Sequence, residues 1–87
     1  MEKQLQILVS GKVQGVGFRW SAYEKFVELG LIGKAENTKE GAVRIVAKGE
    51  EVVMQELVNW AHQGPQGSQV VKVEVTESTE DIEGFKK

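Results

Sequence analysis

The chain has 87 residues and a formal net charge of −2, so it lacks the overall basic character typical of nucleic-acid-binding proteins. It contains no cysteine, which excludes a disulfide framework, a thiolate nucleophile and thiolate metal ligands. The length predicts a single domain over residues 1–87. No apolar run approaches the roughly 20 residues that cross a bilayer, and residues 1–4 lack the layout of a secretory signal, which favours a cytoplasmic protein.

A partly alternating apolar run at residues 5–10 predicts the first strand. Apolar residues at helical spacing over 20–29 predict a helix ended by Gly30, with Phe18, Ala22, Phe26 and Leu29 in one stripe that faces the core. Between them lies Gly11-Lys12-Val13-Gln14-Gly15-Val16-Gly17-Phe18-Arg19. Glycines permit positive φ and close backbone approach, and successive N–H groups ahead of a helix bind anions. Arg19 adds a forked positive charge suited to phosphate oxygens. The segment therefore predicts a phosphate-binding loop.

This loop matches neither of two common nucleotide-binding motifs. The mononucleotide motif ends in Gly-Lys followed by Ser or Thr, whereas Val13 follows Gly11-Lys12 here. The dinucleotide motif, begun at Gly15, needs a glycine at position 20, which is Trp. From spacing alone, a plain turn with a solvated arginine is an equally good interpretation. Lys12 either helps to attract phosphate or is an exposed loop charge.

The remaining chain predicts three more strands and a second helix. In order, these are a strand at 31–38, a hairpin turn at Lys39-Glu40-Gly41, a strand at 42–48, a helix at 50–63 ended by Gly64-Pro65, and a strand around Val71, Val73 and Val75. Residues 77–83 predict a solvated acidic loop, and residues 82–85 are compatible with a short edge strand. The order β-α-β-β-α-β predicts a ferredoxin-like α+β sandwich, with one antiparallel sheet and both helices on one face.

The run Gln14-Gly15-Val16-Gly17-Phe18-Arg19, followed by Asn37 in Gly33-Lys34-Ala35-Glu36-Asn37-Thr38, resembles the acylphosphatase family. The resemblance covers nearly the whole chain. It includes Glu40-Gly41, the strand from Val43 to Gly49, the helix end at Gly64-Pro65, and Gly84-Phe85. It implies a hydrolase that converts acyl phosphates into a carboxylate and inorganic phosphate.

The resemblance also implies roles for individual residues. Arg19 and Asn37 are the expected catalytic residues, with Asn37 orienting the attacking water. The expected phosphate-binding residues are Gln14, Gly15, Val16, Gly17, Phe18 and Arg19. No cofactor and no metal are expected, since Arg19 and the loop amides neutralise the phosphate charge. The expected partner is a small-molecule acyl phosphate, with no nucleic acid and no membrane, bound by a monomer.

Other side chains admit functional roles, but structural roles are favoured for them. Trp20 and Tyr23 are interpreted as packing rather than ligand-stacking residues, and Ser21 as a helix cap. His62 is interpreted as a surface or capping residue rather than a base. The acidic residues between 77 and 83 lack the spacing of a calcium loop and are interpreted as solvated.

Two alternative functions remain open. RNA-binding modules share this strand order, but they stack bases on aromatic residues of the two central strands. Here those strands show Gln, Leu, Arg, Val and Lys on their non-core faces, and Gly17-Phe18-Arg19 falls in a loop, which disfavours RNA binding. The other alternative is a regulatory module, or a domain attached to a larger carbamoyl-transferring protein. The end of the chain at Lys87 favours a free-standing enzyme.

Overall fold

Four strands and two helices make up residues 1–82, the part of the chain that this computed structural model describes. They follow one another in the order β-α-β-β-α-β, which confirms the ferredoxin-like α+β fold. The elements are β1 (Glu2–Lys12), α1 (Phe18–Leu29), β2 (Ile32–Asn37), β3 (Val43–Glu50), α2 (Glu51–Gln63) and β4 (Gln69–Glu77).

The direction of the strands determines which loops meet. The sheet has the order β2-β3-β1-β4, and every neighbouring pair is antiparallel. Ile45 of β3 lies opposite Ile7 of β1 on one side and opposite Ala35 of β2 on the other. Because β3 is antiparallel to both neighbours, β1 and β2 run in the same direction and end at the same end of the sheet. The β1–α1 loop and Asn37, the last residue of β2, are thereby brought together.

The core lies between the helices and one face of the sheet. Phe18, Ala22 and Phe26 are buried on one side of α1, as their spacing of four residues requires. Burying a side chain such as Phe18 contributes about 1.5–3 kcal/mol, so the first turn of α1 is firmly held. The other buried members of the core on β1, β3 and α2 are Ile7, Val9, Val43, Ile45, Ala47, Met54, Leu57, Val58 and Ala61.

Helix α1 begins at Phe18, and the burial of Phe18, Ala22 and Phe26 confirms the predicted core stripe at these three positions. Gly17 precedes the helix in a left-handed conformation (φ 80°, ψ 20°), and the N–H of Ser21 donates to its carbonyl at 3.0 Å. The predicted capping role of Ser21 is therefore wrong, because that residue lies inside the first turn. β1 is also longer than predicted and contains a bulge at Gly11, where φ is 128°.

The segment after β4, residues 78–82, crosses the face of the sheet that the helices leave open. The side-chain amide of Gln4 on β1 donates to Ser78 Oγ (3.2 Å) and to the carbonyl of Glu80 (2.6 Å). The Glu80 carboxylate accepts a hydrogen bond from Arg44 on β3 (2.8 Å) and pairs with Lys34 on β2. The segment therefore spans three strands.

Two residues of this C-terminal segment make contacts that the sequence did not predict. The Arg44 and Lys34 side chains hold the pKa of Glu80 at about 2, well below its ordinary value. The side chain of Ile82 is only 2% exposed. The prediction of a solvated loop is therefore wrong at Ile82, whereas Glu80 is paired with two cations and stays partly exposed. Ile82 lies outside any strand, and the rest of the predicted edge strand, residues 83–85, lies outside the described residues.

Candidate active site

A pocket of about 160 Å³ lies where the β1–α1 loop meets the end of β2. Since a water molecule in the liquid occupies roughly 30 Å³, this volume can hold a tetrahedral phosphate and a water. Of the predicted site residues, Gly15, Gly17, Phe18, Arg19 and Asn37 line the pocket. Gln14 and Val16 do not line it, and two residues outside the predicted set, Val13 and Trp20, do.

The conformation of the loop depends on two glycines. Gly15 and Gly17 have φ values of 77° and 80°, which other residues rarely adopt. Within residues 1–82, and apart from the two chain neighbours of each glycine, no atom lies within 4 Å of where a Cβ would stand at either position, so backbone conformation rather than space explains these glycines. A left-handed residue directly before a right-handed helix is a geometry in which successive N–H groups converge on an anion.

The N-terminus of α1 is open toward the pocket. Within residues 1–82, no side chain caps it, and its first turn contains no acidic residue. Because the hydrogen-bond ladder of the helix begins with Ser21, the N–H groups of Phe18, Arg19 and Trp20 precede it. Such N–H groups and the positive end of the helix dipole attract anions.

Arg19 is exposed, and no carboxylate of residues 1–82 forms an ion pair with it. The chain has one other arginine, Arg44, which is bound by Glu36 (2.5 Å) and Glu80 (2.8 Å) on the opposite face of the sheet. The guanidinium of Arg19 therefore remains available to bind an anion, whereas that of Arg44 is already paired.

Alternation along β2 places Asn37 on the side of the sheet that faces α1. Ala35, two residues earlier, belongs to the core between helices and sheet. Lys34 and Glu36 project to the other face, where they pair with Glu80 and Arg44 respectively. Asn37 is exposed and lines the pocket together with the loop. Lys34 and Glu36, although close in sequence to Asn37, lie on the far side of the sheet.

Gln14 ties the loop to the β2–β3 hairpin. Its Nε2 donates to the carbonyl of Thr38 and to the carbonyl of Ala42, both at 2.9 Å. The hairpin is itself closed by the N–H of Ala42, which donates to Thr38 Oγ1 at 3.0 Å. Sequence analysis assigned Gln14 to phosphate binding, and since its side chain is engaged here, only its main-chain N–H is left for that role.

Aromatic packing fixes the start of α1 against its surroundings. Phe18 is 1% exposed, and its ring centroid lies 5.2 Å from that of Trp60 on α2. A Cβ at Gly64 would stand 2.8 Å from Cε2 of Phe18, so a glycine is needed for this approach. The hydroxyl of Tyr23 accepts a hydrogen bond from the N–H of Ala35 (3.1 Å) and joins α1 to β2.

The other candidate residues lie away from the pocket. His62 is exposed on α2, with Nδ1 3.0 Å from the carbonyl of Val58. No group of three or more His, Cys, Asp or Glu side chains within residues 1–82 is placed to hold a metal ion. In the same range, neither helix has the length and apolar character needed to cross a bilayer.

Comparison with known proteins gives one consistent family. The family model described as Acylphosphatase matches residues 5–87. An acylphosphatase of Thermococcus kodakarensis is 44% identical over 79 residues, which are 90% of this chain and 87% of that protein.

Solved structures agree with this similarity. An acylphosphatase from Coxiella burnetii matches with a TM-score of 0.86 and 41% identity, over 92% of this chain and 85% of that one. An acylphosphatase from Bacillus subtilis matches with a TM-score of 0.84 and 38% identity, over 92% and 88% of the two chains. The similarity therefore includes the fold and extends over most of the length of the chain.

Proposed function

The chain belongs to the acylphosphatase family of hydrolases, and on this premise we propose that it cleaves acyl phosphates at the pocket between the β1–α1 loop and Asn37. The products are a carboxylate and inorganic phosphate. The observation that carries the proposal is the lining of one pocket by Gly15, Gly17, Arg19 and Asn37. This lining combines main-chain donors, a cation without a carboxylate partner within residues 1–82, and a carboxamide.

The loop and Arg19 bind the phosphoryl group. The N–H groups at the start of α1 donate to its non-bridging oxygens, and the guanidinium of Arg19 contacts two oxygens through its planar fork. The charge that builds up on these oxygens in the transition state is stabilised by donors that are already in place. Phosphoryl transfer depends mainly on such positioning and charge stabilisation.

Asn37 orients the water that attacks phosphorus. Its side chain makes no hydrogen bond within residues 1–82, so the carboxamide oxygen is available to accept one from the water. Holding the water in line with the breaking bond contributes rate through orientation. A carboxamide does not take up a proton near neutral pH, so the proton of the water passes to a phosphate oxygen of the substrate.

The chemistry of the leaving group explains why the reaction needs few side chains of the enzyme. An acyl phosphate is a mixed anhydride, and its leaving group is a carboxylate whose conjugate acid has a pKa of about 4. Such a group departs without a general acid. Direct attack by water needs no covalent intermediate with the enzyme, and the chain has no cysteine to form one as a thiolate.

We further propose that the enzyme acts as a monomer, because a single chain supplies the main-chain donors, the guanidinium and the carboxamide that the proposed reaction uses. A chain without cysteine is compatible with the reducing cytoplasm, which we propose as its location.

Release of inorganic phosphate from acetyl phosphate tests the proposed function. Purified protein, assayed in the presence of a metal chelator, is expected to accelerate this release, and added inorganic phosphate is expected to inhibit it competitively. No release above the uncatalysed rate, for either acetyl or benzoyl phosphate, would contradict the proposal.

A further inference from the structure

An apolar groove of about 180 Å³ runs along α1 beside the phosphate pocket. It is lined by Trp20, Tyr23, Glu24 and Val27. Trp20 lines both this groove and the phosphate pocket. The groove and the pocket therefore adjoin at the side chain of Trp20.

Packing explains Tyr23, whose ring meets that of Phe26 edge to face, but it does not explain the exposed apolar residues of this groove. Trp20 is 71% exposed and Val27 is 75% exposed, although both side chains are large and apolar. The four groove residues have the spacing i, i+3, i+4 and i+7, which places them on one face of the helix. The core face of α1 is a different one, formed by Phe18, Ala22 and Phe26. The prediction that Trp20 is a packing residue is therefore wrong.

We propose that this groove binds the acyl group of the substrate and gives the enzyme a preference for acyl phosphates with an aromatic or other bulky apolar acyl group. The inference rests on the proposed function, because it takes the phosphoryl group to occupy the adjoining pocket. When phosphorus is held there and water attacks in line, the bound acyl group extends out of the pocket on the side opposite the water. Trp20 is the side chain that lines both this pocket and the apolar groove.

The chemistry of the groove defines the acyl groups that fit. An aromatic acyl ring stacks on the indole of Trp20 or meets it edge to face, with Tyr23 as the next ring along the helix. An acetyl group is too short to make these contacts. Glu24 places a carboxylate in the same lining, so an acyl group that carries a second negative charge is disfavoured by repulsion.

The size of the groove favours a small molecule over a protein. A specific protein interface buries about 800 Å² on each partner and involves roughly 20 residues a side. The groove has four lining residues on a single helix. The acyl part of a substrate anchored next to it matches these dimensions and needs no further binding surface.

The test compares kcat/KM for benzoyl phosphate with kcat/KM for acetyl phosphate, in the intact protein and in three variants. Trp20→Ala is expected to lower the ratio of the two constants about tenfold, as expected for the loss of one aromatic contact. Trp20→Phe, which keeps a ring, is expected to recover most of the ratio. Val52→Ala is the matched control, because Val52 is 76% exposed on α2 and lines neither the pocket nor the groove.

Two results would overturn the acyl-group assignment while leaving the proposed function intact. One is a ratio that stays the same in Trp20→Ala. The other is an equal fall for both substrates, accompanied by weaker inhibition by inorganic phosphate, which would mean that Trp20 shapes the phosphate pocket instead. If the intact protein hydrolyses neither substrate, the proposed function itself fails, and the acyl-group assignment fails with it.

Discussion

The side-chain amide of Gln14 is hydrogen-bonded to the carbonyl of Thr38, at a distance of 2.9 Å and across 24 residues of sequence. Thr38 directly follows Asn37, so this contact ties the β1–α1 loop to the residue next to the proposed water-orienting carboxamide. A second bond from the same nitrogen, to Ala42, fixes the other side of the hairpin. Gln14 therefore sets the distance between the two halves of the site.

Replacing Gln14 tests this coupling. Gln14→Ala is expected to cost about 1–2 kcal/mol in the free energy of unfolding, since two carbonyl groups lose a half-buried donor. It is also expected to lower kcat, because Asn37 is less well positioned. Gln14→Glu has the same shape but presents a carboxylate to two carbonyl oxygens, so its effects should be larger. Urea unfolding and steady-state kinetics measure both quantities. Equal behaviour of the two variants would contradict the donor role.

Asn37→Ala is expected to fold normally and to lose turnover selectively. Removing one preorganised donor or acceptor at a reacting centre typically costs about 10²–10³ in kcat. The inhibition constant of inorganic phosphate is expected to change little, because the loop and Arg19 remain. Asn59→Ala is the control, since Asn59 is the other asparagine of the chain and lies exposed on α2. Near-normal turnover in Asn37→Ala would show that the water is oriented by another group.

Arg19→Ala is expected to weaken both turnover and phosphate binding. A hydrogen bond to a charged group contributes about 1.5–3 kcal/mol, so the inhibition constant of inorganic phosphate should rise by roughly 10- to 100-fold. Arg19→Lys is expected to be intermediate, because it keeps the charge but loses the planar fork. Lys25→Ala, which removes another cation of α1, is the control. Unchanged phosphate inhibition in Arg19→Ala would remove Arg19 from the binding site.

Gly15 in the β1–α1 loop and Gly11 in the bulge of β1 are expected to respond differently to replacement by alanine. Gly15→Ala meets no atom within 4 Å and has only its left-handed backbone to oppose it, at a cost of about 1–2 kcal/mol. Gly11→Ala adds a clash with main-chain atoms of β4, since its Cβ would stand 2.8 Å from the nitrogen of Val71. Urea unfolding should therefore rank Gly11→Ala as the more destabilised variant. The reverse order would mean that the bulge can rearrange.

The ion pairs of Glu80 with Arg44 and Lys34 make the stability of the fold depend on pH. The pKa of Glu80 is lowered from 4.5 to about 2 in the folded chain by Arg44 and Lys34, so its carboxylate favours folding when charged. This contribution is fully present above pH 4.5 and is lost as the pH falls toward 2. The stability difference between the wild type and Glu80→Gln should therefore shrink over that window. Glu56→Gln, at an exposed position on α2, should show no such change relative to the wild type, and a constant difference for Glu80→Gln would contradict the account.

The sequence alone was sufficient to predict the features of the fold and of the candidate site that arise from local chemistry and strand order. A glycine-rich segment between a strand and a helix predicts left-handed residues, and Gly15 and Gly17 adopt them. The strand order brings the end of β2 beside the loop, so Asn37 lines one pocket together with Gly15, Gly17 and Arg19.

Features that depend on long-range contacts were missed. The bonds from Gln14 to the hairpin and from Gln4 to the C-terminal segment join residues far apart in the chain, and no local pattern signals them. The exposure of Trp20 was missed for a different reason. Aromatic residues at helical spacing usually pack, but position 20 is rotated roughly 200° from Phe18 and so lies away from the predicted core stripe of Phe18, Ala22 and Phe26.

A structure determined from a crystal soaked in inorganic phosphate tests the central claim most directly. The account predicts a phosphate in the pocket, with oxygens about 2.7–3.2 Å from the main-chain nitrogens at the start of α1 and from the guanidinium of Arg19. It also predicts a water between the phosphate and the carboxamide of Asn37. A pocket without phosphate, or a phosphate bound there while Asn37 points away from it, would contradict the account.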